Sequence, residues 1–188
     1  MSPEERRRPD VTETELVGGI EKRALVIAVY DPTWPERYAL HRERIAGAVG
    51  TVAVTIEHIG STSVPGLGAK PIIDILLVVP DITAEEDYLD QLLTAGYALR
   101  VREPGHRLVR TPERDVNLHV LEDGDPAAGE YLLLRDRLRS DAGDRALYER
   151  TKRELVTRDW PDTNAYADAK SDVIAAIKER ARRSGQPG

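Results

Sequence analysis

Apolar positions along this chain fall first into strand-like runs and then into helical stripes, with the switch near residue 126. Leu25 to Tyr30 is a short β-branched run, and Asp31-Pro-Thr-Trp-Pro-Glu36 is a turn feeding a helix from about Pro35 to Val49. Thr51 to Ile59, rich in Val and Ile, reads as a strand, and the unbroken apolar run Ile72 to Val79 reads as a buried central one. Thr83-Ala-Glu-Glu86 has the form of a capping box that opens a helix to about Ala95, with Gly96 as its stop. Tyr97 to Arg102, Arg107 to Thr111 and Asp115 to Leu121 read as three further strands separated by Pro/Gly and Pro/Glu turns. Beyond Asp123-Gly-Asp-Pro126 the pattern is helical, in segments near 129–140, 143–158 and 163–182. This order predicts an α+β fold, a mixed β-sheet with early helices and an all-helical C-terminal third, rather than a doubly wound sheet.

Residues 1–23 are charged, contain proline and have no period, and residues 183–188 are similar. Both read as frayed tails, which leaves one domain over 24–182. A chain of 188 residues with 40% hydrophobic content is long enough for one core. No cysteine is present, which removes disulfides, thiol chemistry and cysteine-based zinc sites. The basic N-terminal residues are followed by no apolar core and no run reaches membrane-spanning length, so the expected location is cytoplasmic, with no membrane partner. A net charge of -6 makes duplex nucleic acid a poor partner, since such binding depends on neutralising phosphates.

Against this background the segment His58-Ile-Gly-Ser-Thr-Ser-Val-Pro-Gly-Leu-Gly-Ala-Lys-Pro-Ile-Ile-Asp74 carries the chemistry. Gly60 permits positive φ and close backbone approach, Ser61, Thr62 and Ser63 supply hydroxyl donors, and Lys70 adds a point charge suited to an anion. Asp74 follows where the loop re-enters the sheet, and a carboxylate beside a phosphate cradle is where a divalent cation is held. A plain surface connection accounts for Gly, Ser and Pro here, but not for a lysine or for an aspartate at the head of a buried strand. The segment is not a Walker loop, because Lys70 is followed by Pro71 and no helix continues through that proline.

A second cluster lies on the last strand. In Asp115-Val-Asn-Leu-His-Val120, alternation puts Val116, Leu118 and Val120 on one face and Asp115, Asn117 and His119 on the other. If this strand neighbours Ile72 to Val79, Asn117 and His119 face the same cleft as Asp74; a polar side turned to solvent is the alternative. Three of the four histidines, His58, His106 and His119, fall within or beside these two motifs. In the last helix Tyr166, Ala169, Val173, Ile174, Ile177 and Ala181 form the inward stripe and Lys170 falls on it. Lys152 lies one turn after Tyr148, near the preceding helix's stripe. Each lysine either reaches an anion or snorkels to water. Arg135 and Arg139 read as a solvated face paired with Asp136.

Together, the first motif with Lys70-Pro-Ile-Ile-Asp74, then His106-Arg107, Asn117-Leu-His119-Val, Tyr166 and Lys170, resembles the GrpB family of bacterial proteins over about Val26 to Arg180. The resemblance implies the nucleotidyltransferase fold of the DNA polymerase beta superfamily. That superfamily's signature is Gly-Ser or Gly-Gly at a turn, an Asp-x-Asp or Asp-x-Glu pair on the next strand, and a third acid on a later strand. Gly60-Ser61 then corresponds to the turn and Asp74 to the first acid. The second acid's position holds Leu76, and at the third stand Asn117 or His119, unless Asp115 serves.

One divalent cation, Mg or Mn, is therefore the expected cofactor, held by Asp74 and His119, which are also the expected catalytic pair. His58, Gly60, Ser61, Thr62, Ser63, Lys70, His106, Arg107, Asn117, Lys152, Tyr166 and Lys170 are the expected phosphate or ligand contacts. The expected ligand is an NTP or another phosphate-bearing small molecule. The protein then either transfers a nucleotidyl group to a small acceptor or binds its ligand in a regulatory role. Some relatives are joined to a dephospho-CoA kinase domain, which makes that kinase a candidate partner.

Overall fold

The computed structural model describes residues 6–21 and 25–185. Six strands form one mixed sheet: β1 (Glu15–Leu16), β2 (Thr55–Ile59), β3 (Ile73–Val79), β4 (Ala98–Glu103), β5 (His106–Arg110) and β6 (Val116–Glu122), ordered β1-β4-β5-β6-β3-β2. β3 and β6 are parallel, in the register Asp74 to Asn117 and Leu76 to His119, and all other pairings are antiparallel. Six helices accompany it among the described residues: α1 (Trp34–Val49), α2 (Leu89–Thr94), α3 (Pro126–Ser140), α4 (Ala142–Leu155), α5 (Thr163–Asp168) and α6 (Ser171–Ser184). The α+β expectation is met, with the helical third after β6.

The sheet is covered on both faces, which is why β3 is an unbroken apolar run. Ile73, Ile75, Leu77 and Val79 join Val109, Val116, Leu118 and Val120 against Trp34, Ile45 and Val49 of α1 and Leu89 and Leu92 of α2. On the other face Ile59, Leu76, Val78 and Leu121 pack under Ala127, Ala128, Tyr131 and Leu132 of α3. A third cluster joins Val64 and Leu67 of the loop after β2 to Leu138, Tyr148 and Ile177, pinning that loop to the helical third. Asp144 ties the same helices together, accepting from Arg137 Nε at 2.7 Å and Arg180 Nε at 2.9 Å.

Several elements differ from the sequence pattern for identifiable reasons. Leu25 to Tyr30 forms no strand; its sheet-like contact is a single bridge between Ala28 and Ala69. The strand expected from Thr51 starts at Thr55, after a 3₁₀ turn over Gly50–Val52. The capping box at Thr83 does not form, because the Thr83 hydroxyl bonds Asp81 at 2.6 Å and Glu86, the acid of the box, pairs with Arg7 and Arg8. The helix therefore waits until Leu89. The long last helix is two, α5 and α6, with Ala169 and Lys170 at the break.

Residues 6–21, expected as a frayed tail, lie against the sheet through ion pairs with distant residues. Arg6 pairs with Glu122 at 2.9 Å, Asp10 with Arg107 at 2.5 Å, Glu15 with Arg102 at 2.9 Å and Glu21 with Arg110 at 2.8 Å. β1 adds two residues to the β4 edge. Burial alone would raise the Asp10 carboxyl, yet the Arg107 guanidinium and the Gly105 and Val11 amides hold it below its ordinary value. The Arg110 guanidinium similarly holds Glu21 down, to about 2.

Folded-state values below the unfolded ones give stabilisation that is complete above the ordinary carboxylate range and is lost as pH falls through it. Asp10→Asn is expected to cost about 1–3 kcal/mol at neutral pH and to reduce the further loss between about pH 5 and 3, read by urea unfolding at each pH. An acid-dependent loss identical to wild type would place the pairing outside the folding equilibrium.

Candidate functional site

β3 leaves the loop with Asp74 on the α3 side of the sheet, and the parallel neighbour brings Asn117 and His119 to the same side. Asn117 Nδ2 donates to Asp74 Oδ1 at 3.2 Å, and His119 Nε2 lies 3.5 Å from the same oxygen. β5 contributes His106, stacked on His119 with ring centroids 5.3 Å apart. His106 Nε2 is 3.2 Å from His119 Nδ1, and His106 Nδ1 is 2.6 Å from Glu103 Oε1. With neutral rings this chain satisfies two of its three contacts, and the shorter Glu103 contact selects His106 Nδ1–H donating to Glu103 and His119 Nδ1–H donating to His106 Nε2. The Nε2 lone pair of His119 then faces Asp74. A carboxylate oxygen and an imidazole lone pair directed at one spot call for a proton or a cation between them. Glu103 completes this chain and was not among the residues the sequence singled out; the Glu-Pro-Gly-His hairpin that joins β4 to β5 is the signal that was available.

Gly60 closes the opposite wall. Its φ is 70°, and a Cβ there would stand 2.6 Å from Asp74 Oδ2, so both the turn and the aspartate require glycine. Ser61, next in the turn, accepts from Lys152 Nζ at 3.0 Å, and the same ammonium donates to the Gly68 carbonyl at 2.5 Å. Lys70 and Lys170 approach the same place, with their ammonium nitrogens 4.1 and 4.9 Å from the centroid of the Tyr166 ring.

Lys152 is 3% exposed, and burial, followed by the charge of Lys170, lowers it to about 7. Burial also lowers Lys170, against the opposing pull of Asp74. The break between α5 and α6 places Lys170 at the head of α6 rather than inside a helix stripe. Lys70, Lys152 and Lys170 thus gather around Ser61 and Tyr166, with Asp74 acting on Lys170 and Glu149 on Lys152.

Other expected contacts lie elsewhere. His58 points to the α1 side, stacked on Tyr38 at 4.6 Å, with Nε2 bonded to Thr62 Oγ1 at 3.0 Å. Burial pushes His58 down to about 4, so it is neutral at physiological pH. Thr62 is thereby engaged, and the Ser63 hydroxyl donates to the Gly60 carbonyl at 2.6 Å, so neither hydroxyl turns toward Asp74. Arg107 alternates with His106 along β5 and is held at 2% exposure by Asp10 and Glu85, away from the cleft. Asp115 pairs with Arg37 at 2.7 Å and is no third acid. Leu76 shares the face of Asp74 but is 0% exposed beneath α3.

Arg135 and Arg139 both pair with Asp136 as expected, at 2.8 and 4.0 Å, but they also reach inward. Arg135 bonds Glu57 at 2.7 Å and the His58 carbonyl at 3.2 Å, and Arg139 bonds the Ser63 carbonyl at 2.9 Å. Among the described residues no group of three or more His, Cys, Asp and Glu side chains is placed to hold a metal ion.

The model of the family described as "GrpB protein" matches residues 24–180. The chain belongs to the GrpB family. A UPF0157 protein of Streptomyces coelicolor is 64% identical over 176 residues, covering 94% of each chain. A Mycolicibacterium paratuberculosis protein named dephospho-CoA kinase is 30% identical over 79% of this chain but only 42% of its own length. Among solved structures, GrpB of Enterococcus faecalis superposes with a TM-score of 0.75 at 26% identity, covering 85% of this chain and 98% of that one. The Cid1 poly(U) polymerase superposes over 70% of this chain and 45% of its own with a TM-score of 0.50 at 14% identity. The fold of this GrpB chain is therefore nucleotidyltransferase-like.

Two measurements follow from this geometry. Long-range ¹H–¹⁵N spectra at pH 8 are expected to show both His106 and His119 protonated at Nδ1, and an Nε2–H on His119 would overturn the assigned chain. For Lys152, an ordinary value when unfolded and one near 7 when folded mean that the unfolded chain binds more protons between them. Stability is then expected to rise with pH from about 7 to 10, and Lys152→Met to flatten that rise. An equal rise in the variant, followed by chemical denaturation, would assign it to other groups.

Proposed function

We propose that the chain binds an NTP or another phosphate-bearing small molecule between the Gly60–Ser61 turn and the C-terminal helices. The observation that carries this reading is the convergence of Lys70, Lys152 and Lys170 on Ser61 and Tyr166, opposite Asp74. Phosphate oxygens accept from the ammonium groups and from the Ser61 hydroxyl, and their charge offsets the burial and the mutual repulsion that lower Lys152.

Asp74 and His119 hold one divalent cation in this reading, and the imidazole favours Mn or a similar ion over Mg. The ion, when bound, neutralises phosphate charge. Asn117 steadies the Asp74 carboxylate, while Glu103 and His106 keep the His119 lone pair pointed at it. With Leu76 buried, the cleft offers one acid, which supports ligand binding over a two-metal polymerase mechanism.

A second reading, nucleotidyl transfer to a small acceptor with a single cation, rests on the Glu103–His106–His119–Asp74 chain. That chain presents a base beside the carboxylate, an arrangement that ligand binding alone does not require. The relative named dephospho-CoA kinase supports coenzyme A metabolism as a setting and that kinase as a partner. The cytoplasm is the proposed location; no helix among the described residues is long and apolar enough to cross a membrane.

Calorimetric titration with ATP, pyrophosphate and coenzyme A, each with and without Mn, tests these readings. Lys152→Met and Lys170→Met are each expected to weaken polyphosphate binding about tenfold or more, the scale of one charge-assisted contact. Asp74→Asn is expected to remove the Mn dependence while leaving metal-free pyrophosphate binding. No binding of any of the three at millimolar concentration sinks the proposal. Pyrophosphate release from an NTP that stops in Asp74→Asn would select the second reading.

A further inference from the structure

On the far side of the turn that carries Ser61 lies a groove of about 520 Å³, bounded by the start of α1, the edge strand β2 and the corner between α3 and α4. Its walls include Tyr30, Tyr38, His58, Ser63, Arg139 and Arg145. That volume is within the range of small-molecule sites, roughly 300–1,000 Å³.

The polar groups in this groove are unevenly matched. Arg145 donates to the carbonyls of Leu138 and Arg139 at 3.1 and 3.2 Å, with no carboxylate within 4.0 Å among the described residues. Arg139 donates to the Ser63 carbonyl at 2.9 Å, and its nearest carboxylate, Asp136, is 4.0 Å away and is shared with Arg135. Glu57, the other acid of this edge, is bonded to Arg135. Burial and the charge of Arg135 both act against the Arg139 guanidinium. Two cations therefore border the groove, and both donate to carbonyls rather than to a carboxylate.

The rest of the lining carries no charge, with Tyr30, Tyr38 and His58 as rings beside Pro35, Ser63 and Pro65. Tyr38 is fixed by its stacking on His58, with 12° between the planes, and by its hydroxyl bond to the Ile56 carbonyl at 3.1 Å. Tyr30 is braced edge-on against Trp34 at 5.4 Å. His58, sealed from water and bonded to Thr62, adds a ring and no charge. Fixed aromatic rings beside paired guanidiniums recognise an oxyanion carried on a planar group.

We infer that this groove is a second small-molecule site, separate from the lysine-lined cleft, that takes a compact oxyanion borne on a flat ring, with Arg139 and Arg145 on the anion and Tyr38 against the ring. A phosphate monoester and a carboxylate share this chemistry. The inference does not depend on the reading of the lysine cleft. The two places share one wall, however: Arg139 holds Ser63, Ser63 holds Gly60, and Gly60 abuts Asp74. A ligand in the groove therefore bears on the backbone that shapes the cleft.

The test is NMR titration of the full chain with phenyl phosphate, benzoate, inorganic phosphate and phenol. Phenyl phosphate or benzoate is expected to saturate with shifts centred on Tyr38, His58 and the 61–65 turn. Whichever of the two binds more tightly names the anion. Phenol and inorganic phosphate are expected to bind at least tenfold more weakly than it. The double variant Arg139→Gln with Arg145→Gln is expected to lose tenfold or more in affinity, and Lys152→Met to change it by less than twofold. Arg145→Lys, which keeps the charge, is expected to lose less than Arg145→Gln, and this single-site pair decides the matter if the double variant does not fold. Shifts centred on Tyr166 and Lys152, affinity indifferent to both arginines, phenol or inorganic phosphate binding equally well, or no saturation by 10 mM would each overturn the inference.

Discussion

The parallel pairing of β3 with β6 is the contact on which the rest of the molecule depends. It sets Asp74 opposite Asn117 and Leu76 opposite His119, and its period of two sends Ile73, Ile75, Leu77, Val116, Leu118 and Val120 into the core beneath α1 and α2. A slip of one residue would turn Ile73, Ile75 and Leu77 outward and bury Asp74, so register and site are fixed by the same packing. Parallel neighbours cannot be joined by a tight turn. The connection between them holds α2, β4 and β5, and so delivers His106 and Glu103 to the flank of His119.

That arrangement also limits what the cleft contains. Asp74 stands at the mouth of β3, where its side chain keeps 28% exposure, while Leu76 two residues on is already sealed under Tyr131 and Leu132 of α3. A second acid on that face would be buried without water, so the packing of α3 and the single carboxylate are two aspects of one geometry. Positive charge has to arrive from outside the sheet, and it does so from the loop through Lys70 and from the helical third through Lys152 and Lys170.

Much of this could be read from the chain itself. The run after Asp74 and the alternation from Asp115 to Val120 carry the central strands, and the inward lysines stand out because a charge on an apolar stripe needs a reason. What the pattern could not give was the side on which an isolated residue lies. His58 and Arg107 sit on strands whose facing is decided by tertiary packing, and both turn away from Asp74. Glu103 escaped notice because its role depends on a hairpin that brings it against His106. Arg135 and Arg139 have the helical spacing of a solvated face, yet they reach across to β2 and to the turn after it, carbonyls far away in sequence. The N-terminal segment was the least legible, since Asp10 and Glu21 have no local partner and acquire one only when the sheet is assembled.

That segment has a mechanical side as well. An outer strand carries a row of main-chain donors and acceptors that any passing β-segment can join, and cells lose protein to aggregation through such rows. Here β1 occupies part of the β4 row, and at the opposite rim Arg135 covers the His58 carbonyl of β2. The family model begins at residue 24, after β1. The span of that model is thus shorter than the span that covers the sheet's edge, and in this chain the difference is made up by a few charged residues acting as a clasp.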